Sequence, residues 1–166
     1  MKNNQYQFTY EVYEYEAELP VADAELLQAA RNATSNAYAP YSNFLVGAAA
    51  KLANNEMITG SNQENASYPA GICAERVLLS AAASLYPRIE IHAMAVSYNN
   101  LNGESGMPIS PCGICRQSLI EQEDKAKQPL RLILAGLSGP IYIIPSASSL
   151  MPLAFNSKSF TSNGRI

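Results

Sequence analysis

The sequence predicts a single α/β domain: a mixed β-sheet, with an N-terminal hairpin followed by parallel strands, flanked by helices. Two observations predict it. After a strand–turn–strand unit at 44–60, β-type runs alternate with helical runs almost to the end of the chain, the order that packs helices onto a sheet. The 166 residues are 48% hydrophobic and only 15% charged. With no internal repeat or low-complexity segment, that is enough apolar material for one substantial core.

Each element has a local reason. In the first 20 residues Phe8, Tyr10 and Val12 alternate with Thr9 and Glu11, a period of two that reads as an edge strand added to the main sheet. Pro20 closes it. Asp23 is a fair N-cap for a helix carrying Leu26, Leu27, Ala30, Ala33 and Ala37 at three-to-four spacing, which stops at Ala39-Pro40. Residues 44–52 and 56–60 read as strands about an Asn54-Asn55 turn. A polar loop at 62–71 precedes a helix at 73–85 that is apolar on nearly all sides and therefore reads as buried. Strands follow at 89–97, 130–135 and 141–144, with a loop at 99–111 and a helix at 113–123 between the first two. A short helix covers 146–151. The chain divides into an N-terminal strand extension (1–20), the main domain (21–156) and a loosely ordered tail (157–166).

Charge and hydropathy exclude whole classes of protein. Eleven Lys and Arg against 14 Asp and Glu leave a net charge of −3. No basic run breaks that balance, so the footprint of a nucleic-acid partner is missing. The longest apolar stretch, at 77–85, is interrupted by serine and falls far short of the roughly 20 residues that span a bilayer. Met1-Lys2-Asn3-Asn4 opens no signal peptide. The expectation is a soluble, cytoplasmic protein without a membrane partner.

Cys73, Cys112 and Cys115 are an odd number of cysteines, which suits an intracellular metal site better than a secreted disulfide framework. Cys73 and Cys112 share a layout, a loop and then a cysteine at a helix start. Unpaired N–H groups there favour the thiolate, the form that binds metal, and Arg76 and Arg116 push the same way. Cys112-x-x-Cys115 chelates from one turn, and Cys73 closes a tripod if the two helices lie side by side. Three protein ligands leave one position of a zinc tetrahedron open. Three thiolates also leave the centre with one net negative charge, making the metal a weaker Lewis acid than one held by neutral imidazoles. Glu75, two residues after a ligand, is placed to take a proton from water. The competing readings are a structural metal clip, buried thiols, or a redox Cys-x-x-Cys, the last of which expects no third cysteine. His92 has no metal-ligand spacing to anything and reads as structural.

Cys73-x-Glu75 followed by Pro111-Cys-x-x-Cys has the form of the zinc-deaminase signature. The chain resembles the cytidine deaminase family, in its small homo-oligomeric, three-cysteine branch. The resemblance rests on Tyr38-Ala-Pro-Tyr-Ser-Asn-Phe-Leu-Val-Gly-Ala-Ala49, Asn62-Gln-Glu-Asn-Ala-Ser-Tyr-Pro69, Cys73-Ala-Glu-Arg76, Pro111-Cys-Gly-Ile-Cys-Arg-Gln117 and Met151-Pro-Leu-Ala-Phe155, in family order. It implies a cytidine-deaminase-like fold and zinc held by Cys73, Cys112 and Cys115, with Glu75 as catalytic proton shuttle and Arg76 supporting the ligands. It also implies substrate contacts from Phe44, Asn62, Glu64, the Ala74 N–H and Phe155, the last reaching across from a neighbouring chain of a homo-oligomer, most simply a tetramer. Tyr68 is a weaker candidate at the same seam. The implied reaction is hydrolytic deamination of cytidine and 2′-deoxycytidine in pyrimidine salvage. The N-terminal 20 residues and the glycine-containing loop at 99–108 exceed the compact family pattern.

Overall fold

The computed structural model describes residues 1–157 and 160. Nearly all of the tail expected at 157–166 lies outside the described residues. Six strands, β1 (Glu11–Tyr13), β2 (Phe44–Leu52), β3 (Met57–Ser61), β4 (Ile91–Asn100), β5 (Arg131–Ala135) and β6 (Ile141–Ile144), form one sheet in the order β1-β6-β5-β4-β2-β3. Three helices cover it: α1 (Val21–Ala33), α2 (Ala74–Leu85) and α3 (Gly113–Ala126). The predicted class holds, a mixed sheet flanked by helices. Its parallel part is narrower than expected: only β4 and β5 pair in parallel, and β6 returns antiparallel to β5. The linkers decide this. α3 carries the chain back to the end where β4 began, whereas residues 136–140 are too few for a crossover and close only an antiparallel turn.

Alternation along the strands separates two cores. Met94, Val96, Leu132 and Leu134 face Leu78 of α2 and Leu119 of α3. Ala95 and Ile133, between them in sequence, face Leu26, Leu27 and Ala30 of α1. Small residues set the layer spacing. A Cβ at Gly47 would lie 2.1 Å from the Ala30 carbonyl oxygen, and one at Gly60 would lie 2.6 Å from both the Ala74 carbonyl oxygen and the Leu78 nitrogen. β2 and β3 therefore touch the backbones of α1 and α2 directly.

Several local expectations change. The first helix, expected to carry Ala37 and stop at Ala39-Pro40, ends at Ala33 and tightens into a single turn at Thr34–Asn36, and the strand expected at 89–97 runs Ile91–Asn100. Asp23 does not cap α1: Pro20 takes the N-cap position, and the buried Asp23 carboxylate receives two 2.7 Å hydrogen bonds from the Arg131 guanidinium on β5. The edge strand is in place but pairs only over β1, against β6. Phe8, Tyr10 and Val12 point outward, and Tyr10 leans on Tyr142 at 5.1 Å between ring centroids. The third helix runs to Ala126, three residues further than expected, and ends where Lys127 adopts a left-handed φ of 55°.

Gly60→Ala tests the contact between β3 and the start of α2. The two nearest neighbours of the added methyl group are backbone atoms and cannot rotate away, so stability should fall by about 1–3 kcal/mol. The readout is a urea midpoint; an unchanged midpoint would show that this contact does not set the spacing.

Candidate active site

Topology brings the cysteines together. β2 is antiparallel to both β3 and β4, so β3 and β4 run in the same direction, and the helices that follow them begin at the same end of the sheet. α2 and α3 also lie on the same face. Cys73 is the N-cap of α2 and Cys112 the N-cap of α3, and neither side chain caps its helix. Their sulfurs instead approach to 3.7 Å. Cys115, buried in the first turn of α3, lies 3.4 Å from Cys112, and the three Sγ atoms all fall within 4.8 Å of one another. Ligands on a zinc tetrahedron with Zn–S of about 2.3 Å sit about 3.8 Å apart. The cluster fits the metal in donor type and spacing.

Electrostatics poises the same atoms. The Cys73 thiol is lowered to about 6, chiefly by its hydrogen bond with Cys115, with Cys112 and the Arg76 charge helping against burial and the Glu75 carboxylate. Cys115 moves the other way, because it donates to Cys73 and is buried. Between these two sulfurs the negative charge is favoured on Cys73. Glu75 is 4% exposed. Burial pushes its carboxyl above the ordinary range, partly offset by its own N–H and by Cys115.

A cleft of about 570 Å³ opens beside the cluster. Cys73, Glu75 and Cys112 line it together with Asn62, Glu64, Tyr41, Ser42, Val46, Tyr68, Ile109 and Ser110. The Glu64 Oε2 accepts N–H bonds from Tyr41 at 2.9 Å and Ser42 at 3.3 Å. With the Ser42 side chain contributing most, these hold the carboxyl below its usual range. The Asn62 amide straddles β2, donating to the Phe44 carbonyl at 2.9 Å and accepting from the Val46 N–H at 2.7 Å. One amide hydrogen and one lone pair remain for a ligand.

Other expected residues stand back from the cleft. Phe44 shares the β2 face of Val46 but stacks on Tyr98, with ring centroids 4.9 Å apart, and does not line the space. Ala74 is buried, and as the first residue of α2 its N–H has no intrahelical partner. Phe155 is 56% exposed and sits with Arg76 in a separate groove along α2 and α3. Arg116 is a brace, donating to the Pro111 and Leu150 carbonyls at 2.8 Å each. His92 is exposed, as a structural histidine can be. Sequence reasoning did not single out Tyr41, which acts through its backbone N–H, Ser42, which acts through its hydroxyl and its N–H, or Ile109 and Ser110, which the loop before Cys112 folds into the cleft wall. Their only signal was adjacency to motif residues.

A three-sulfur tripod at two helix starts, with a buried carboxylate beside an open cleft, defines a metal-dependent hydrolase of the zinc-deaminase class. The family model described as "Cytidine and deoxycytidylate deaminase zinc-binding region" matches residues 20–128. A cytidine deaminase from Halalkalibacterium halodurans is 38% identical over 133 residues, 80% of this chain and 93% of that protein. Among solved structures, the cytidine deaminase from Burkholderia pseudomallei is 41% identical with a TM-score of 0.69, covering 79% of this chain and 97% of that one. The Mycobacterium tuberculosis cytidine deaminase is 31% identical with a TM-score of 0.63, covering 82% and 99%. The chain belongs to the cytidine and deoxycytidylate deaminase family; it is a hydrolytic deaminase, and zinc is its metal. Among the described residues no helix is long and apolar enough to cross a membrane.

The purified protein should carry one zinc per chain and resist thiol alkylation until a chelator is added. Once metal-free, it should react first at Cys73, with a rate that rises as pH passes about 6, because the lowered thiol is ionised above that value. Alkylation of Cys73 in the native protein, or a rate midpoint near the ordinary thiol value of roughly 8.5, would contradict the arrangement.

Proposed function

We propose that this enzyme deaminates cytidine and 2′-deoxycytidine to uridine and 2′-deoxyuridine, releasing ammonia, in pyrimidine salvage in the cytoplasm. One observation carries the reading: Glu75, buried beside the three sulfurs, lines the same cleft as Asn62 and Glu64, a pair able to bind sugar hydroxyls. The named relatives support the substrate class. Cys73, Cys112 and Cys115 hold zinc, which when bound lowers the pKa of water and so supplies a nucleophile near neutral pH. Arg76 favours the thiolate at Cys73. Three cysteines that must stay reduced favour the cytoplasm.

Glu75 takes one proton from the attacking water and passes it to N3 of the cytosine ring, then takes the remaining proton from the new C4 hydroxyl and delivers it to the 4-amino group. The C4–N bond breaks as ammonia leaves, and the C4 oxygen becomes the carbonyl of uracil. Burial raises the carboxyl, which brings its proton affinity closer to those of the groups it serves. The Ala74 N–H at the start of α2 points a helix N-terminus toward the base, as a donor to its O2. Phe44, stacked on Tyr98 next to Val46, backs the cleft on the sugar side.

The substrate is a nucleoside and not a nucleotide. Among the described residues no Lys, Arg or His lines the cleft, so a 5′-phosphate finds no cation among them and meets the Glu64 carboxylate instead. Assaying cytidine, deoxycytidine, cytosine and the monophosphates for loss of the 4-amino group should show turnover of the two nucleosides alone. Efficient use of free cytosine, with nucleoside turnover unaffected by Glu64→Ala, would refute the assignment.

The active form is a homo-oligomer, most simply a tetramer, in which Phe155 stacks on the base in a neighbour's cleft. Its ring is largely exposed and lies outside its own chain's cleft, and α2 carries more apolar surface than one sheet covers. Glu75→Gln should keep zinc yet lose about 10²- to 10⁴-fold in turnover, since an amide carries no proton. Phe155→Ala should be inactive with Glu75 intact. Co-assembled, the two inactive chains should recover part of the activity. Mixed oligomers without recovery, or a fully active monomer in sedimentation, would end the shared-site reading.

A further inference from the structure

The loop between β4 and α3 meets the cleft wall at its end and, at its start, a turn that borders the cleft. Its last residues, Ile109 and Ser110, form part of the wall next to Cys112. At its start Asn102 grips the turn at 41–43: its Nδ2 donates to the Ser42 carbonyl at 3.0 Å, and its Oδ1 accepts from the Asn43 side-chain amide at 3.2 Å. The neighbouring Leu101 N–H donates to the Asn43 carbonyl at 3.0 Å. The opposite side of this turn supplies the Tyr41 and Ser42 N–H groups to Glu64. Asn43 holds a φ of 57°, a left-handed conformation that persists where neighbours impose it.

The grip has a firm base. Asn102 donates its own N–H to the Asn100 side chain at 3.1 Å, and the Asn100 N–H donates to Ser105 Oγ at 2.8 Å. The Ser105 carbonyl in turn accepts the Leu137 N–H at 2.8 Å. A Cβ at Gly136 would lie 1.9 Å from that same carbonyl oxygen, so the loop is seated against the turn between β5 and β6.

We infer that Asn102 is a positioning residue for the sugar of the substrate, holding the 41–43 turn whose N–H groups orient the Glu64 carboxylate. The role of Glu64 toward a sugar rests on the function proposed above; the hold on the turn does not. Asn102 is exposed, and its side-chain hydrogen bonds run to Ser42 and Asn43, so its loss should leave the fold intact. Without its amide the turn gains freedom, Glu64 receives its two N–H bonds for less of the time, and affinity for the sugar falls while the distant proton chemistry of Glu75 continues.

The test compares zinc-loaded, full-length Asn102→Ala, Glu64→Ala and the double variant. Asn102→Ala should raise KM for cytidine about five- to tenfold, the effect of losing one or two modest hydrogen bonds, with kcat within about twofold. In the Glu64→Ala background the same substitution should have no further effect on KM, because its influence passes through Glu64. Amide hydrogen exchange, read without substrate, should be faster at Tyr41 and Ser42 at an unchanged melting temperature. An equal KM effect in both backgrounds overturns the inference, as does unchanged exchange at the two amides. If the wild-type protein turns over no nucleoside, the proposed function fails; the exchange measurement still decides whether Asn102 holds the turn on Glu64.

Discussion

The close approach of β3 to the first turn of α2 is the constraint on which the site depends. With hydrogen at Gly60 in place of a side chain, the strand packs against the Ala74 and Leu78 backbone, which fixes where α2 begins and so where Cys73 stands. α3 begins at the same end of the same sheet face because β4 runs in the direction of β3. Two helix N-termini therefore converge, and the sulfurs at their caps meet without any long side chain having to reach. A helix start supplies directed N–H groups and partial positive charge in a fixed place. Thiolates and a carboxylate that would repel one another elsewhere are tolerated there.

The opposite face of the sheet has no comparable chemistry and is built for rigidity. Alanine and glycine on β2 let α1 lie close, and the Asp23–Arg131 pair ties the first turn of that helix to β5. Arg31 does the same near the other end of α1, pairing with Glu16 and donating to the Gly136 carbonyl at 3.1 Å. Gly136 belongs to the turn on which the β4–α3 loop is seated. Packing on the face without a site thus reaches the cleft through backbone contacts, and the loop that exceeds the compact family pattern becomes part of the scaffold.

Local pattern made much of this legible in the sequence. The strands at 44–52 and 141–144 agree with the structure residue for residue, and the helix after Cys73 differs by one residue at its start. The metal ligands were legible because a chelating pair needs a fixed spacing and a helix start needs a loop before it. What could not be read depends on distant partners. Asp23 looks like a cap until Arg131, 108 residues away, claims its carboxylate. The direction of β6 follows from linker length, which local periodicity does not express. Tyr41 contributes a main-chain N–H common to all residues, so its side chain gave no sign of the role, and the Ser42 hydroxyl meets Glu64 only through a turn that local pattern does not express. Phe44, expected as a substrate contact, stands behind the lining because Val46, two positions on, shares its face and takes the lining position.

The sign of the charge in the cleft gives the site its chemical character. Two sulfurs and two carboxylates border a space with no cationic side chain in its lining among the described residues, and each anion is stabilised separately. Cys73 is held by neighbouring thiols and Arg76, and Glu64 by Ser42 and two backbone N–H groups. Burial instead drives Glu75 toward its protonated form. Two carboxyl groups in one cleft are thus pushed in opposite directions, one fixed as an anion that accepts hydrogen bonds and the other poised to gain and lose a proton. An anionic ligand entering this space is repelled by charges whose stabilising partners are already committed, whereas a neutral, hydroxyl-rich one meets acceptors for its protons. The same division keeps the roles from interfering: a carboxylate anchored by hydrogen-bond donors is a poor base, and a carboxyl whose proton affinity burial has raised is a better one.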